Sequence, residues 1–371
     1  MKFAMPKESL SRTLQSVVSA VPPKSTLPIL SNFLLEARDG KLMLTCTDLD
    51  VSVCTEAPSS VADGGRVTVP ARRFAEIVRE LPPEEVTVGT DDLKVTLDCR
   101  IGQFSLMGMD AEEFPKLPEV EEGARLSLPG AEVARGIRST IYAVSTDETR
   151  PVLNGVLMEV RDGALRLVAT DGHRLGRYTL RDPALRGAKK ADAIVPPKTL
   201  ALAQKLGAET GSPVELMLAR NYAIITVADT TIYSRLLDGP FPSYEQVIPK
   251  DNPNRATVDR GPLIASMRRV SILADSVTHQ VKLSFGAGKL EVSAQTADVG
   301  EGAETLPCEY DGPALEIGFN ASYLTDALRN MDGERVVLAL DKPTSAAVIT
   351  PAGPVGQEEV LCLVMPLRLT D

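Results

Sequence analysis

The sequence predicts an α+β protein built as a three-fold internal repeat, each unit carrying two helices packed on antiparallel β-sheet. Three observations predict it. The stretch PILSNFLLEARDGKL at 28–42 returns as PVLNGVLMEVRDGAL at 151–165, offset by 123 without a gap, and VKLSFGAGKL at 281–290 is a fainter third copy. Each copy is a pair of alternating runs around a Gly turn, the pattern of a β-hairpin. Two further markers keep the same order: Val69-Pro70, Val195-Pro196 and Phe319-Asn320 each precede a helical stretch, and Phe114-Pro115 and Phe241-Pro242 close the first two copies. A repeat found at this spacing takes precedence over every local reading.

The first helix opens at Pro6, a residue suited to a first helical turn, and runs on Leu10, Leu14, Val17, Val18 and Val21. Its counterparts follow Pro129, with Val133, Ile137, Ile141 and Val144, and Pro262, with Ile264, Met267, Val270 and Ala274. The second helices carry Phe74, Ile77, Val78 and Leu81, then Leu200, Ala203 and Leu206, then Leu324, Ala327, Leu328 and Met331. Each has one apolar stripe, so each lies on something and leaves its other face to solvent. The β-branched stretches 85–88, 94–97, 224–227 and 335–340 read as the strands beneath. Pro- and charge-rich linkers at 115–123 and 249–255 divide the chain into units 1–118, 126–248 and 256–371.

Composition narrows the function. There is no run of about 18 apolar residues, so no membrane span is expected, and the first residues lack the apolar core of a signal peptide. Five scattered cysteines read as buried thiols of a reducing cytoplasm. No Trp and few aromatics argue against a stacking platform for single strands. The net charge of −10 argues, taken alone, against DNA. The six helical stretches reverse that inference. They hold twelve basic residues against five acidic, leaving a net of −17 on everything else. An acidic protein with its positive charge on one class of element can present a polyanion-binding face.

Catalytic constellations are sparse. No phosphate-cradling glycine loop, nucleophile elbow or zinc-protease motif is present, and His173 and His279 are the only histidines. The one candidate is Asp171 orienting His173 as a general base, the basis of an alternative reading as a hydrolase. No nucleophile stands near it, and the first copy has Asp50 where the second has His173. No metal and no cofactor are expected. A third reading, a repeat scaffold that never meets DNA, sits poorly with the helix charge.

The motifs TLPIL (26–30), VPAR (69–72), LNG (153–155), ATDGHRL (169–175), Phe241-Pro242 with Tyr244, IGFN (317–320) and VMPLRL (364–369) closely resemble those of one family over the whole chain. It is the β subunit of bacterial DNA polymerase III, the β sliding clamps. The resemblance implies a head-to-tail homodimer whose six clamp domains form a ring, helices lining the hole. Double-stranded DNA is then held topologically and without sequence preference, and the protein confers processivity in the cytoplasm without catalysis of its own. Implied partners are the clamp loader complex, the replicative polymerase α subunit and other proteins with a clamp-binding motif. By position, the client-peptide pocket falls on Leu153, Thr170, Gly172, His173, Arg174, Leu175, Pro242, Val247, Leu363, Met365, Pro366 and Arg368. His173 and Arg174 would fix the peptide backbone or a carboxylate. The DNA-facing set is Lys24, Arg72, Arg73, Arg135, Arg138, Lys198, Arg268 and Arg269, and Phe104 and Leu106 would meet Ile272 and Leu273 across the dimer. Thr370 and Asp371 extend beyond the family's usual Arg-Leu end.

Overall fold

Asp-Gly pairs turn the first two repeated hairpins. Asp39 and Gly40, then Asp162 and Gly163, all have left-handed φ between 52° and 73°, the geometry that a two-residue turn needs to match strand twist. The flanking strands pair in register, Arg38 with Lys41 and Arg161 with Ala164. The third copy forms the equivalent hairpin from Gln280–Gly286 and Lys289–Thr296. The computed structural model describes the chain except residues 121, 354–355 and 370–371, and the side chains of 208–210. The C-terminal extension Thr370-Asp371 and residue 121 of the 115–123 linker therefore lie outside the described residues.

Among the described residues six α-helices alternate with the strands: α1 (Lys7–Val17), α2 (Ala71–Glu80), α3 (Gly130–Ile141), α4 (Pro197–Thr210), α5 (Arg260–Val270) and α6 (Ala321–Arg329). The stripes bury as their spacing requires; α2 sinks Ala71, Phe74 and Val78 and exposes Arg72, Arg73 and Arg79. Three details differ from expectation. Pro6 ends the strand Lys2–Pro6 instead of opening α1, with an extended ψ of 137°. Having no N–H, it leaves no donor unpaired at that junction. The α-helix stops at Val17, and 18–20 tighten into a 3₁₀ turn that leaves Val18 half-buried. In α5 the buried stripe runs through Leu263, Ser266, Met267 and Val270, an i, i+3, i+4, i+7 set that leaves Ile264 at its margin.

The chain divides into two units, Met1–Ala134 with Lys198–Leu236, and Arg135–Pro197 with Leu237–Asp371. The first holds a five-stranded antiparallel sheet ending at the edge strand Gly102–Met107, and an eight-stranded one. In the eight-stranded sheet, Thr230–Arg235 of the second repeat pairs antiparallel with Val51–Pro58 of the first. The second unit has a nine-stranded sheet, in which Arg174–Arg181 of the second repeat pairs with Glu358–Val364 of the third. It also has a four-stranded sheet ending at the edge strand Gly300–Pro307. Each large sheet thus crosses a repeat boundary by main-chain hydrogen bonds. No described helix is long and apolar enough to cross a membrane.

Candidate client-peptide site and nucleic-acid interface

In the nine-stranded sheet, side chains alternate between the core and the opposite face. On that opposite face, cross-strand partners Ile194, Leu157 and Val168 form one row, and Leu175 faces Leu363 in the next. With Tyr244 and Ala346 these residues form a satellite apolar cluster, edged by Val152, Leu237, Phe241 and Ile248. The segment 241–248 lies against this floor. Its anchor is Tyr244, whose hydroxyl donates to Glu159 Oε2 at 2.5 Å, both residues being buried. Burial and the Glu159 carboxylate push the Tyr244 phenol up to about 12, so it stays a donor at neutral pH. Arg161 takes the other Glu159 oxygen at 3.0 Å, and Arg166 reaches Glu245 at 3.2 Å.

The predicted pocket residues divide into three groups here. Leu175 and Leu363 lie in the floor; Leu153 is buried beside the turn 150–154. Pro242, Val247 and Met365 stand exposed around it, with Val247 58% and Met365 41% accessible. The Met365 N–H is held by the His173 carbonyl at 2.8 Å, and Leu367 N–H by Gly318 O at 2.8 Å, which fixes Pro366 between them. Arg368 exposes its side chain, and its carbonyl accepts from Gln280 Nε2. The 170–174 turn is internally saturated. The Thr170 hydroxyl donates to Arg174 O and accepts the Gly172 N–H; Gly172 has φ of 92° and sits 3.2 Å, by its virtual Cβ, from Arg150 Nη1.

Sequence reasoning passed over Leu157, Val168, Ile194 and Ala346. A signal for the first three exists in the period-2 alternation of the strands, two residues from Glu159, Thr170 and Asp192, but it appears only once the register is known; Ala346 precedes its strand and has no such signal.

The hydrolase arrangement is absent. Asp171 Oδ1 accepts the backbone N–H groups of His173 and Arg174, and Oδ2 takes Arg174 Nε at 3.0 Å, so no Asp–His pair forms. The His173 ring instead lies near-parallel to Tyr323 at 6.3 Å. Among the described residues no cluster of His, Cys, Asp and Glu could hold a metal ion.

The basic residues singled out, seven on helices and Lys24 in a loop, fall into two classes. Arg135 pairs with Glu358 and with Asp332 (3.2 Å), Arg138 with Asp332 (2.6 Å), Lys198 with Asp48 and Arg269 with Glu304 (2.6 Å). Among the described residues Lys24, Arg72, Arg73 and Arg268 make no ion pair, and all four are exposed; Arg72 reaches the Val21 carbonyl at 3.4 Å. On the expected dimer surface, Phe104 is exposed and Leu106 half-buried on the edge strand Gly102–Met107. Ile272 is 74% accessible. Leu273, in the 3₁₀ turn Ser271–Leu273, packs against the other edge strand at Gly302, where a Cβ would come within 2.7 Å of its side chain.

The chain matches the DNA polymerase III beta subunit over three successive domains: N-terminal at 1–118, central at 127–243 and C-terminal at 245–368. The chain belongs to the DNA polymerase III beta subunit family. Members of this family are sliding clamps, non-catalytic processivity subunits of the polymerase. This beta subunit is 34% identical to the beta sliding clamp of Synechococcus elongatus and 33% identical to that of Pseudomonas putida, both chains covered in full. Its fold superposes on the sliding clamp of Pseudomonas aeruginosa with a TM-score of 0.93 at 33% identity. On that of Bacillus subtilis the TM-score is 0.93 at 28%, again with full coverage of each chain. Another Pseudomonas aeruginosa clamp similar to this beta subunit, at 32% identity and a TM-score of 0.94, was solved bound to griselimycin.

Proposed function

We propose that this beta subunit closes head-to-tail with a second copy into a six-domain ring around duplex DNA, and tethers polymerase and other replication proteins through the apolar site on its nine-stranded sheet. The three domains are assigned to 1–118, 126–248 and 256–371. The observation that carries the reading is the charge distribution: a chain of net −10 has a helical surplus of basic residues. Lys24, Arg72, Arg73 and Arg268 are free to meet phosphates. Arg135, Arg138, Lys198 and Arg269 already have carboxylate partners with which phosphates must compete. Such a lining favours DNA without gripping any sequence, which suits a ring that slides.

Closure would use two bare sheet edges, Gly102–Met107 with Phe104 and Leu106, and Gly300–Pro307 beside Ile272 and Leu273. Unpaired edges are templates for another strand. The apolar site suits a short peptide with two large anchors. Burying each is worth roughly 1.5–3 kcal/mol, so the two supply about 3–6 of the roughly 8 kcal/mol that micromolar binding needs, and main-chain and polar contacts supply the rest. The clamp loader, the polymerase α subunit and other proteins carrying such motifs are the proposed clients, acting in the cytoplasm.

The test is topological. Protein loaded onto nicked circular DNA should survive a high-salt wash, and linearising the circle should release it. Loss from intact circles at the same salt as from linear DNA would sink the ring.

A further inference from the structure

The Asp171 turn has a sister in the first unit. Asp48 Oδ1 accepts the N–H groups of Asp50 (3.1 Å) and Val51 (2.7 Å), as Asp171 Oδ1 accepts those of His173 (2.9 Å) and Arg174 (3.0 Å). Thr47 and Thr170 each accept the N–H two residues on, at 3.0 and 3.1 Å. In each turn the other carboxylate oxygen goes to a cation that reaches a helix of the following repeat. Asp48 takes Lys198, in the first turn of α4, whose ammonium also donates to Ala20 O at 3.1 Å. Asp171 takes Arg174, whose Nη1 donates to Asp326 of α6 at 2.7 Å. The repeat therefore carries one strut twice: turn carboxylate, cation, next helix.

The first unit keeps the strut where the floor is only partly apolar: Leu34 remains at the place of Leu157 and packs with Ile29, Leu30 and Phe114. At the offset of 123, Thr45 stands where the second unit has Val168, and Ser52 where it has Leu175. A strut retained where Val168 and Leu175 of the floor have polar counterparts belongs to the frame. Arg174 is also ill placed to greet a ligand. Its side chain is 13% accessible, and its guanidinium lies over Tyr323 at 4.6 Å and Tyr142 at 5.5 Å from the ring centroids. Tyr142 is fixed in turn by donating to Cys362 Sγ at 2.8 Å, one residue from Leu363 in the floor. A planar fork that bridges two carboxylates and stacks on two rings is something Arg can do and Lys cannot.

We propose that Arg174 is a positioning residue of the client-peptide site: it holds the turn bearing His173 against α6 and does not itself bind the client. The proposal rests on the peptide-site reading above. It predicts a loss of affinity blind to the client's charge. Two peptides with the same apolar anchors, one acidic and one uncharged beyond them, are titrated by calorimetry into the full-length protein. Arg174→Lys should weaken both by the same factor, at least about fivefold. Asp326→Asn, which leaves Arg174 and Asp171 in place and removes the helix end of the strut, should do likewise. Asp48→Asn, a matching lesion in the sister strut, should leave both affinities unchanged, which a general loss of stability would not. A loss confined to the acidic peptide would overturn the proposal, and so would unchanged binding of both by Arg174→Lys and Asp326→Asn. A wild-type protein that binds neither peptide would overturn the peptide-site reading itself, a result distinct from either.

Discussion

Leu49 holds a left-handed φ of 80° while 51% exposed. Its counterpart in the second repeat is Gly172, with φ of 92°. Bulky L-residues are strained there by about 1–2 kcal/mol, of which glycine's greater unfolded freedom returns part. Leu49→Gly should therefore stabilise the protein by about 0.5–1 kcal/mol, seen as a higher denaturant midpoint with an unchanged slope. A lower midpoint would mean that the Leu49 side chain makes up for its strain. The residue scale is also where the sequence was least legible. Asp-Gly turns, the ATDGHRL turn and the Tyr244 marker stand in plain view. The role of Arg174 does not, because its partners Tyr142, Tyr323, Asp326 and Asp171 come from three separate stretches, and an exposed guanidinium and a caged one look identical in a string.

The helices were legible because a stripe of period 3.6 is a local signal. Their limits were less so: the sequence predicts that α5 follows Pro262, and it begins at Arg260. Which helix cations are free depends on carboxylates supplied by distant strands and loops. Arg269 on α5 is the sharpest case, since it holds the Glu304 carboxyl down to about 2 from its ordinary 4.5. A depressed carboxyl lends stability above its unfolded pKa and withdraws it as pH falls through its folded one. Acid unfolding should thus draw on this pair between about pH 4.5 and 2, and Glu304→Gln should flatten the stability profile in that window. A profile identical to wild type would show the pair to be thermodynamically silent, as exposed ion pairs often are.

At the scale of the molecule, three-foldness was legible and sheet construction was not. Strand pairing across a repeat boundary is fixed by long-range register, which no window of sequence contains. Assembly is testable directly. Replacing Ile272 and Leu273 together with Asp should halve the native mass from twice the 39.7 kDa of one chain to once, while far-ultraviolet circular dichroism stays the same. Ile272 is exposed, so the fold tolerates its change, whereas an apolar interface does not tolerate buried, unpaired carboxylates. An unchanged mass would place the dimer contact elsewhere.

The ladders that join Thr230–Arg235 to Val51–Pro58, and Arg174–Arg181 to Glu358–Val364, also bear on the protein's descent. A middle repeat cut out at its sequence boundaries would lose both partners and present two raw strand edges, the condition that leads to aggregation. Duplicated units of sequence have thus ceased to be interchangeable units of folding. Tandem copies could have arisen by simple duplication, yet no copy can now be removed, reordered or replaced by another without reweaving a sheet.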